Sequence, residues 1–181
     1  MEDDLEKLAE YLDFEDIQRR LIMSSLYLFG FNILKASIID RIKNFFISDL
    51  NRYNEEVLNL SKSRIYASLF WLQKHSVINN EDLNLFNEIK EYRNYLAHSM
   101  MDFLDGKSNI EIEEVNLKFE DMIKLLNKIE IWWIMEFEIP INPDFDNEIL
   151  SEKDVSPGPV ILLKVIKKIA FNVFKGKFSL N

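Results

Sequence analysis

Arg93 and His98 are the residues of this chain whose types and spacing best suit acid–base chemistry on a phosphate. They lie in the stretch Arg93-Asn94-Tyr95-Leu96-Ala97-His98, and the whole chain has 2 histidines and no cysteine. Histidine is the side chain whose ordinary pKa lies nearest to neutral pH. The guanidinium of arginine stays charged and can grip two phosphate oxygens. A histidine near a phosphate-binding cation predicts cleavage of RNA without a metal ion.

Cleavage of RNA by its own 2′-hydroxyl needs a base for the hydroxyl proton, an acid for the leaving oxygen and positive charge on the phosphate. The imidazole of His98 can accept a proton and later return one, while Arg93 would hold the phosphate. Asn94 would orient the histidine or donate to the phosphate. We expect a 2′,3′-cyclic phosphate product and resistance of DNA, which lacks the attacking hydroxyl. We expect no cofactor.

The spacing of the two residues constrains where they can meet. On an ideal α-helix, five residues advance the chain by about 7.5 Å and rotate it by about 140°. Arg93 and His98 therefore do not lie on one face of a regular helix. Either the helix is distorted between them, or each residue meets its complement from a second copy across a two-fold axis. The second alternative predicts a homodimer.

The elements that must position these residues are predicted to be helices. Only 4 glycines and 4 prolines interrupt a chain that is 48% hydrophobic, and its apolar residues recur at helical spacing. Asn80 is the predicted N-cap of the helix that carries the motif, and Gly30 is a predicted kink or break. The predicted helices cover residues 2–12, 14–46, 63–76, 81–104, 117–138 and 160–174.

The fold class expected from these elements is all-α, a bundle of four to five helices with an additional C-terminal amphipathic helix. Residues 110–115 alternate between apolar and acidic side chains, which fits a brief strand or the lead-in to a helix. Residues 1–139 would form the bundle and residues 140–159 an acidic, proline-containing linker. Residues 160–181 would form a basic amphipathic helix and tail.

Charge is unevenly divided along the chain, whose net charge is −9. Residues 1–154 hold 17 basic and 31 acidic residues, a net charge of −14, whereas residues 155–181 hold five lysines and no acid. Because nucleic-acid binding needs local positive charge, RNA would bind at a basic pocket, helped by Lys164, Lys167 and Lys168 as substrate-binding residues. The same helix would also suit docking on the acidic body, an acidic partner or a membrane interface.

The sequence excludes other function classes. The lack of cysteine rules out disulfides, thiolate metal sites and cysteine nucleophiles and fits a reducing cytoplasm. There is no glycine-rich phosphate loop, G-x-S-x-G or H-E-x-x-H, and the acidic cluster at residues 111–114 has no nearby histidine, so we expect no metal site. The acidic N-terminus does not resemble a signal peptide, and polar residues such as Lys35 interrupt the apolar run 22–39. We expect a cytoplasmic protein without a membrane span.

The segment Ile89–His98 resembles the HEPN superfamily. The signature of that family is an arginine, usually followed by a polar residue that is often asparagine, and a histidine after four to six intervening residues. Here Asn94 follows Arg93, and four residues stand before His98. The preceding helix, residues 66–75, and the turn at residues 79–80 are also similar. The resemblance covers residues 14–135 in helical layout and residues 89–98 in identity.

The resemblance implies a HEPN-type helical bundle that dimerises, with the metal-independent endoribonuclease activity of many members, which often act as toxins or in antiviral defence. Arg93 and His98 would be the catalytic pair, with Asn94 supporting them. A cognate antitoxin or inhibitor protein would be a further partner beside RNA. Met100 stands where one toxin group has a tyrosine, two places after the histidine, so the resemblance does not extend to that group.

Two other interpretations fit the same residues. A non-catalytic HEPN-like module would bind a protein partner or a nucleotide without turnover. A helical interaction protein would carry the motif by chance, with Arg93 paired to a neighbouring acid and His98 partly buried. We expect His75 to be a structural residue at a helix C-terminus and Trp132-Trp133 to belong to the core.

Overall fold

The fold is a bundle of helices. The structure, a computed structural model, describes residues 14–142 and 151–174. Within these ranges no residue lies in a strand, so the all-α prediction is confirmed. The α-helices of five or more residues there are α1 (Phe14–Phe45), α2 (Leu50–Glu56), α3 (Arg64–Lys74), α4 (Asn80–His98), α5 (Met100–Leu104), α6 (Ile112–Trp133) and α7 (Gly158–Phe174).

α1 is the central helix. It contacts α3, α4, α5, α6 and α7, and its contact with α6 is the most extensive. Its buried residues recur mostly every three or four positions, so a broad stripe of the helix faces the core. They are Met23, Ser24, Leu26, Tyr27, Gly30, Phe31, Leu34, Ile38 and Ile42.

The length and composition of α1 would also allow it to cross a membrane. It contains an 18-residue window with a mean hydropathy of 1.5, and 44% of that window is buried inside the bundle. A core helix and a membrane span can share such a composition. In this fold the buried stripe of α1 is covered by the helices around it.

Gly30 allows α1 to approach α6 closely. α1 is one helix from residue 14 to residue 45, so of the kink or break predicted at Gly30 the break is absent. A Cβ atom on Gly30 would lie 2.7 Å from Cε2 of Phe119 and 3.0 Å from Sδ of Met122, both on α6. Phe119 and Met122 are completely buried, so the space beside Gly30 is already filled.

α4 carries the arginine–histidine motif and begins with a capping box. Oδ1 of Asn79 accepts a hydrogen bond from the backbone N–H of Asp82 at 2.9 Å, and the Asp82 carboxylate accepts one from the N–H of Asn79 at 2.8 Å. The N-cap is therefore Asn79, and the prediction of Asn80 is wrong by one residue. The predicted helix 81–104 is interrupted at Ser99, so His98 is the last residue of α4 and α5 is separate.

α6 starts before its predicted range of 117–138. Because it begins at Ile112, residues 110–115 lead into a helix and do not form a strand. A π turn (Ile134–Glu138) and a short helical turn (Ile139–Ile141) continue α6 beyond its predicted end.

A buried ion pair joins α6 to α1. Glu130 is completely buried, and its carboxylate accepts hydrogen bonds from Nε (3.2 Å) and Nη2 (2.8 Å) of Arg41. The same guanidinium lies 3.5 Å from the carboxylate of Glu138 and over the ring of Trp133. Burial lowers the pKa of Arg41, but the hydrogen bond and charge of Glu130 raise it overall. The fork geometry allows Glu130 to be buried with its charge compensated.

α7 packs on α1 and α6, with Val160, Leu163 and Ala170 buried. It begins at Gly158, slightly earlier than predicted, and Glu152–Asp154 form a 3₁₀ turn inside the predicted linker 140–159. The predicted helix 2–12 and residues 143–150 of that linker lie outside the described residues.

Replacing Gly30 with alanine should destabilise the protein, although alanine is the better helix former. The added methyl group would overlap the ring of Phe119, and overpacking costs about 1–3 kcal/mol, which exceeds the helix propensity gained, about 1 kcal/mol. Urea unfolding followed by circular dichroism measures the change. In the control Gly158→Ala no atom lies within 4 Å of the new Cβ, so its stability should not fall. A Gly30→Ala protein as stable as the parent would contradict the close contact with α6.

Candidate active site

A buried tyrosine holds the middle of α4 against α1, one turn before the motif. The Tyr27 hydroxyl donates to the carbonyl oxygen of Ile89 at 3.0 Å. The rings of Tyr27 and Tyr92 meet edge to face, with 5.2 Å between their centroids. Burial, with smaller effects from Tyr92 and Asp121, raises the pKa of Tyr27 well above its usual range, so the hydroxyl stays a neutral donor. Arg93 therefore follows a fixed turn of helix.

Arg93 and Asn94 line a cavity of about 210 Å³ between α1, α3 and α4. The described residues that line it include three cations and no carboxylate. Besides Arg93 and Asn94, the walls are formed by Phe31, Asn32 and Lys35 of α1, Ile65 of α3, and Phe86 and Lys90 of α4. A cavity with this lining attracts anions.

Arg93 makes no ion pair within the part of the chain that is described. Its Nη1 donates to Oδ1 of Asn94 at 3.2 Å, its guanidinium lies over the ring of Phe31 at 5.7 Å, and its Nε is buried without a partner. Pairing of Arg93 with a neighbouring acid is therefore not observed. By contrast, carboxylates pair with four of the five other arginines, namely Arg19, Arg20, Arg41 and Arg52. A guanidinium with unused donors beside a cavity can bind an oxyanion.

His98 is exposed at the C-terminal end of α4. It forms no hydrogen bond or ion pair with the described residues, so the interpretation of a partly buried histidine is not observed either. Tyr95, one turn earlier on the same helix, is 50% exposed, and Met101 of α5 is 70% exposed. The imidazole is thus free on a surface that also carries apolar side chains.

The structure brings Arg93 and Asn94 together but places His98 elsewhere. His98 is not among the residues that line the Arg93 cavity, as expected for residues about 140° apart around a helix axis. α4 is an α-helix through all three positions, so the distortion that would bring Arg93 and His98 together in one chain is not observed. Asn94 binds Arg93 and not His98.

The three predicted substrate-binding lysines do not line the Arg93 cavity. Lys167 forms an ion pair with Glu120 of α6. Lys164 lines a separate cavity of about 240 Å³ between α6, α7 and the turn before α7, and Lys168 is exposed. Any contact of these lysines with a substrate would occur on another part of the surface.

The remaining candidate residues take part in packing. His75 is the C-cap of α3; its ring stacks on Trp71 at 3.9 Å, and its Nδ1 lies 2.9 Å from the Trp71 carbonyl oxygen. Trp132 and Trp133 both contact the ring of Phe137 in an aromatic cluster. No group of three or more side chains suited to hold a metal ion occurs among the described residues.

Sequence reasoning misses Lys35 and Lys90, which line the cavity beside Arg93. Lys90 had a local signal, since it precedes Arg93 by three residues, a spacing that places two side chains on one helix face. Lys35 had none. It lies on α1 and reaches the cavity only because α1 packs against α4.

Removing the Tyr27 hydroxyl should cost about 1 kcal/mol of stability, the typical net value of one hydrogen bond. The matched control is Tyr92→Phe, because the Tyr92 hydroxyl is buried without a partner and its removal should be neutral or stabilising. Chemical denaturation of Tyr27→Phe and Tyr92→Phe measures both changes. Equal stability of the two variants would contradict the role of the Tyr27–Ile89 bond.

Comparison of the chain with protein-family models, with curated proteins and with solved structures gives no match. The resemblance to the HEPN superfamily therefore depends on residues 89–98 and the helical layout alone, and what it implies about activity stays a prediction.

Proposed function

We propose that this protein is a metal-independent endoribonuclease of HEPN type that acts as a homodimer, as a toxin or defence effector in the cytoplasm. The observation that carries the proposal is the state of the two motif residues. Among the residues that the structure describes, Arg93 faces a cavity lined by no carboxylate and has no ion-pair partner, and the exposed His98 has no partner. Structural residues in an acidic protein would more often be paired, as most of its other arginines are.

The proposed reaction uses these groups in succession. Arg93, held by Asn94, binds the non-bridging oxygens of the scissile phosphate. His98 removes the proton from the 2′-hydroxyl, whose oxygen forms a bond to phosphorus. The bond from phosphorus to the 5′-oxygen breaks, and that oxygen takes a proton from an imidazolium. The products are a 2′,3′-cyclic phosphate and a new 5′-hydroxyl.

A second copy of the chain supplies the missing half of each site. Arg93 and His98 lie on different sides of α4, so one chain does not bring them to one phosphate. A two-fold axis near the end of α4 would place His98 of one copy near Arg93 of the other. The exposed side chains of Tyr95 and Met101 would be covered in such a dimer, which favours its formation.

A specific observation favours a second candidate function, a nucleotide-binding module without turnover. The cavity that Arg93 lines is complete within one chain, whereas His98 lies outside it. A protein that only binds a phosphate compound would need the cavity and not the histidine. The two candidates differ in whether RNA is cleaved after it is bound.

The nuclease proposal predicts cleavage of single-stranded RNA in the presence of EDTA. His98→Ala should reduce the rate at least about 100-fold, since general acid–base catalysis contributes about 10²–10⁴, without a change in the circular dichroism spectrum. His75→Ala, which removes the other histidine, should retain activity. Gel analysis should show 2′,3′-cyclic phosphate ends and no cleavage of the matching DNA.

RNA that the parent protein binds but does not cleave would exclude the nuclease and favour the binding module. Equal activity of His98→Ala and the parent would trace the cleavage to another group or to a contaminating nuclease.

The composite site predicts complementation between two inactive proteins. Arg93→Ala and His98→Ala homodimers should each be inactive. Mixing and exchanging their subunits should restore about a quarter of parental activity, because half of the dimers are then mixed and one of their two sites is intact. Chains bearing both substitutions, mixed with the parent in the same ratio, control for subunit exchange. Absence of recovery after proven exchange would place the whole site within one chain.

A further inference from the structure

We propose that Lys35 and Lys90 complete, together with Arg93, a binding site for a phosphate group in the cavity between α1, α3 and α4. The motif that predicts catalysis assigns no role to either lysine. The charge around the cavity, the contacts that hold Lys90 and the size of the space all favour such a site.

The charge around this cavity differs from that of the protein as a whole. The chain has a net charge of −9, yet Lys35, Lys90 and Arg93 line one cavity that no carboxylate of the described residues lines. None of the three forms an ion pair in the described part of the protein, whereas carboxylates pair with other lysines, namely Lys107, Lys118, Lys124, Lys128 and Lys167. Uncompensated like charges repel each other, and a bound anion removes that repulsion.

Lys90 is held by a chain of polar contacts. Its Nζ donates to the hydroxyl oxygen of Tyr66 at 3.2 Å and lies 4.7 Å from the centre of the Tyr66 ring. The Tyr66 hydroxyl in turn donates to Oδ1 of Asn87 at 2.7 Å. Because Tyr66 gives its proton to Asn87, its lone pairs accept from the ammonium, which keeps two further N–H donors. A cation fixed in this way loses little conformational freedom when it binds an anion.

Arg93 is fixed in a similar way and has unused donors. The bond to Asn94 and the ring of Phe31 hold its guanidinium, while its Nε is buried without a partner. Nη2 of the same guanidinium forms no hydrogen bond with the described residues and is not among the buried atoms, so its donors are accessible from the cavity. A phosphate oxygen in the cavity would supply acceptors for the free donors of the guanidinium.

The size and lining of the cavity suit a phosphate group better than a nucleobase. A volume of about 210 Å³ is below the about 300–1,000 Å³ of pockets for drug-sized ligands. The two phenylalanines in the lining, Phe31 and Phe86, are buried in the core and offer no exposed ring for base stacking. The site would therefore recognise phosphate without regard to base sequence. That the phosphate belongs to RNA rests on the proposed function, whereas the phosphate site itself does not.

The test compares two pairs of substitutions that each remove two positive charges. Both pairs are made in the His98→Ala protein, so that RNA is not cleaved during the measurement. The first is Lys35→Gln with Lys90→Gln. The control is Lys43→Gln with Lys62→Gln, which removes two exposed lysines without ion pairs among the described residues. The probes are a fluorescent single-stranded RNA 12-mer, followed by anisotropy at several salt concentrations, and adenosine monophosphate, followed by calorimetry. Circular dichroism verifies folding of every variant.

The first pair should weaken binding at least about tenfold and reduce the salt slope for RNA by about 0.7 per lost phosphate contact. The control pair should change affinity less than about twofold. Weaker binding of RNA alone identifies the ligand as a backbone phosphate. Weaker binding of adenosine monophosphate alone identifies it as a free phosphate ester. Either result supports the site. Equal behaviour of the two pairs with both probes, or no binding of either probe to the starting protein, overturns it.

These outcomes are independent of the nuclease proposal. Failure of the parent protein to cleave RNA, with a selective loss of binding in the first pair, would reject the nuclease and keep the phosphate site. Tyr66→Phe tests the positioning of Lys90, because it keeps the ring but removes the hydroxyl. It should weaken RNA binding severalfold with an unchanged salt slope, since no charge is lost; an unchanged affinity would remove Tyr66 from the site.

Discussion

The packing of α1 against α4 is the contact on which the whole candidate site depends. Tyr27, Phe31 and Lys35 follow one another at every fourth residue of α1, so they form one stripe along the helix. The hydroxyl of the first binds α4, the ring of the second lies beneath the Arg93 guanidinium, and the third lines the cavity. The facing stripe on α4 holds Phe86, Lys90 and Arg93 at spacings of four and three. Along both stripes, buried aromatic side chains are thus followed by cations that line the cavity.

Local patterns were sufficient to predict most of the helices. Apolar residues at helical spacing and the scarcity of glycine and proline predicted an all-α chain, which the structure confirms. The finer boundaries depend on backbone hydrogen bonds that composition does not specify. Asn79 and Asn80 are equally good capping residues by type, and only the reciprocal bonds with Asp82 identify Asn79 as the cap. In the same way, nothing in the sequence distinguished the end of α4 at His98 from a longer helix.

The errors of greater consequence concern contacts between helices. Gly30 is predicted to kink or break α1, because a glycine within a helical pattern is a common breaker, and the break is absent. The structure shows instead that the absent side chain makes room for Phe119. Lys35 was read only as a polar interruption of an apolar run, although it lines the cavity with Arg93. The 140° between Arg93 and His98 was predictable, by contrast, because it depends only on the regularity of one helix.

If the Arg93 cavity binds phosphate as proposed, the electrostatic contrast within the protein would give it a selectivity that a uniformly basic protein would lack. At physiological ionic strength, charges more than about 8 Å from a phosphate are largely screened. The acidic side chains elsewhere on the body therefore weaken non-specific binding of a polyanion more than they weaken contacts inside the cavity. Lys167 of α7 pairs with Glu120 of α6. Its charge therefore compensates an acidic side chain and adds little to anion binding. Affinity for phosphate at the proposed site would thus arise from the absence of acids among the described lining residues as much as from the presence of cations.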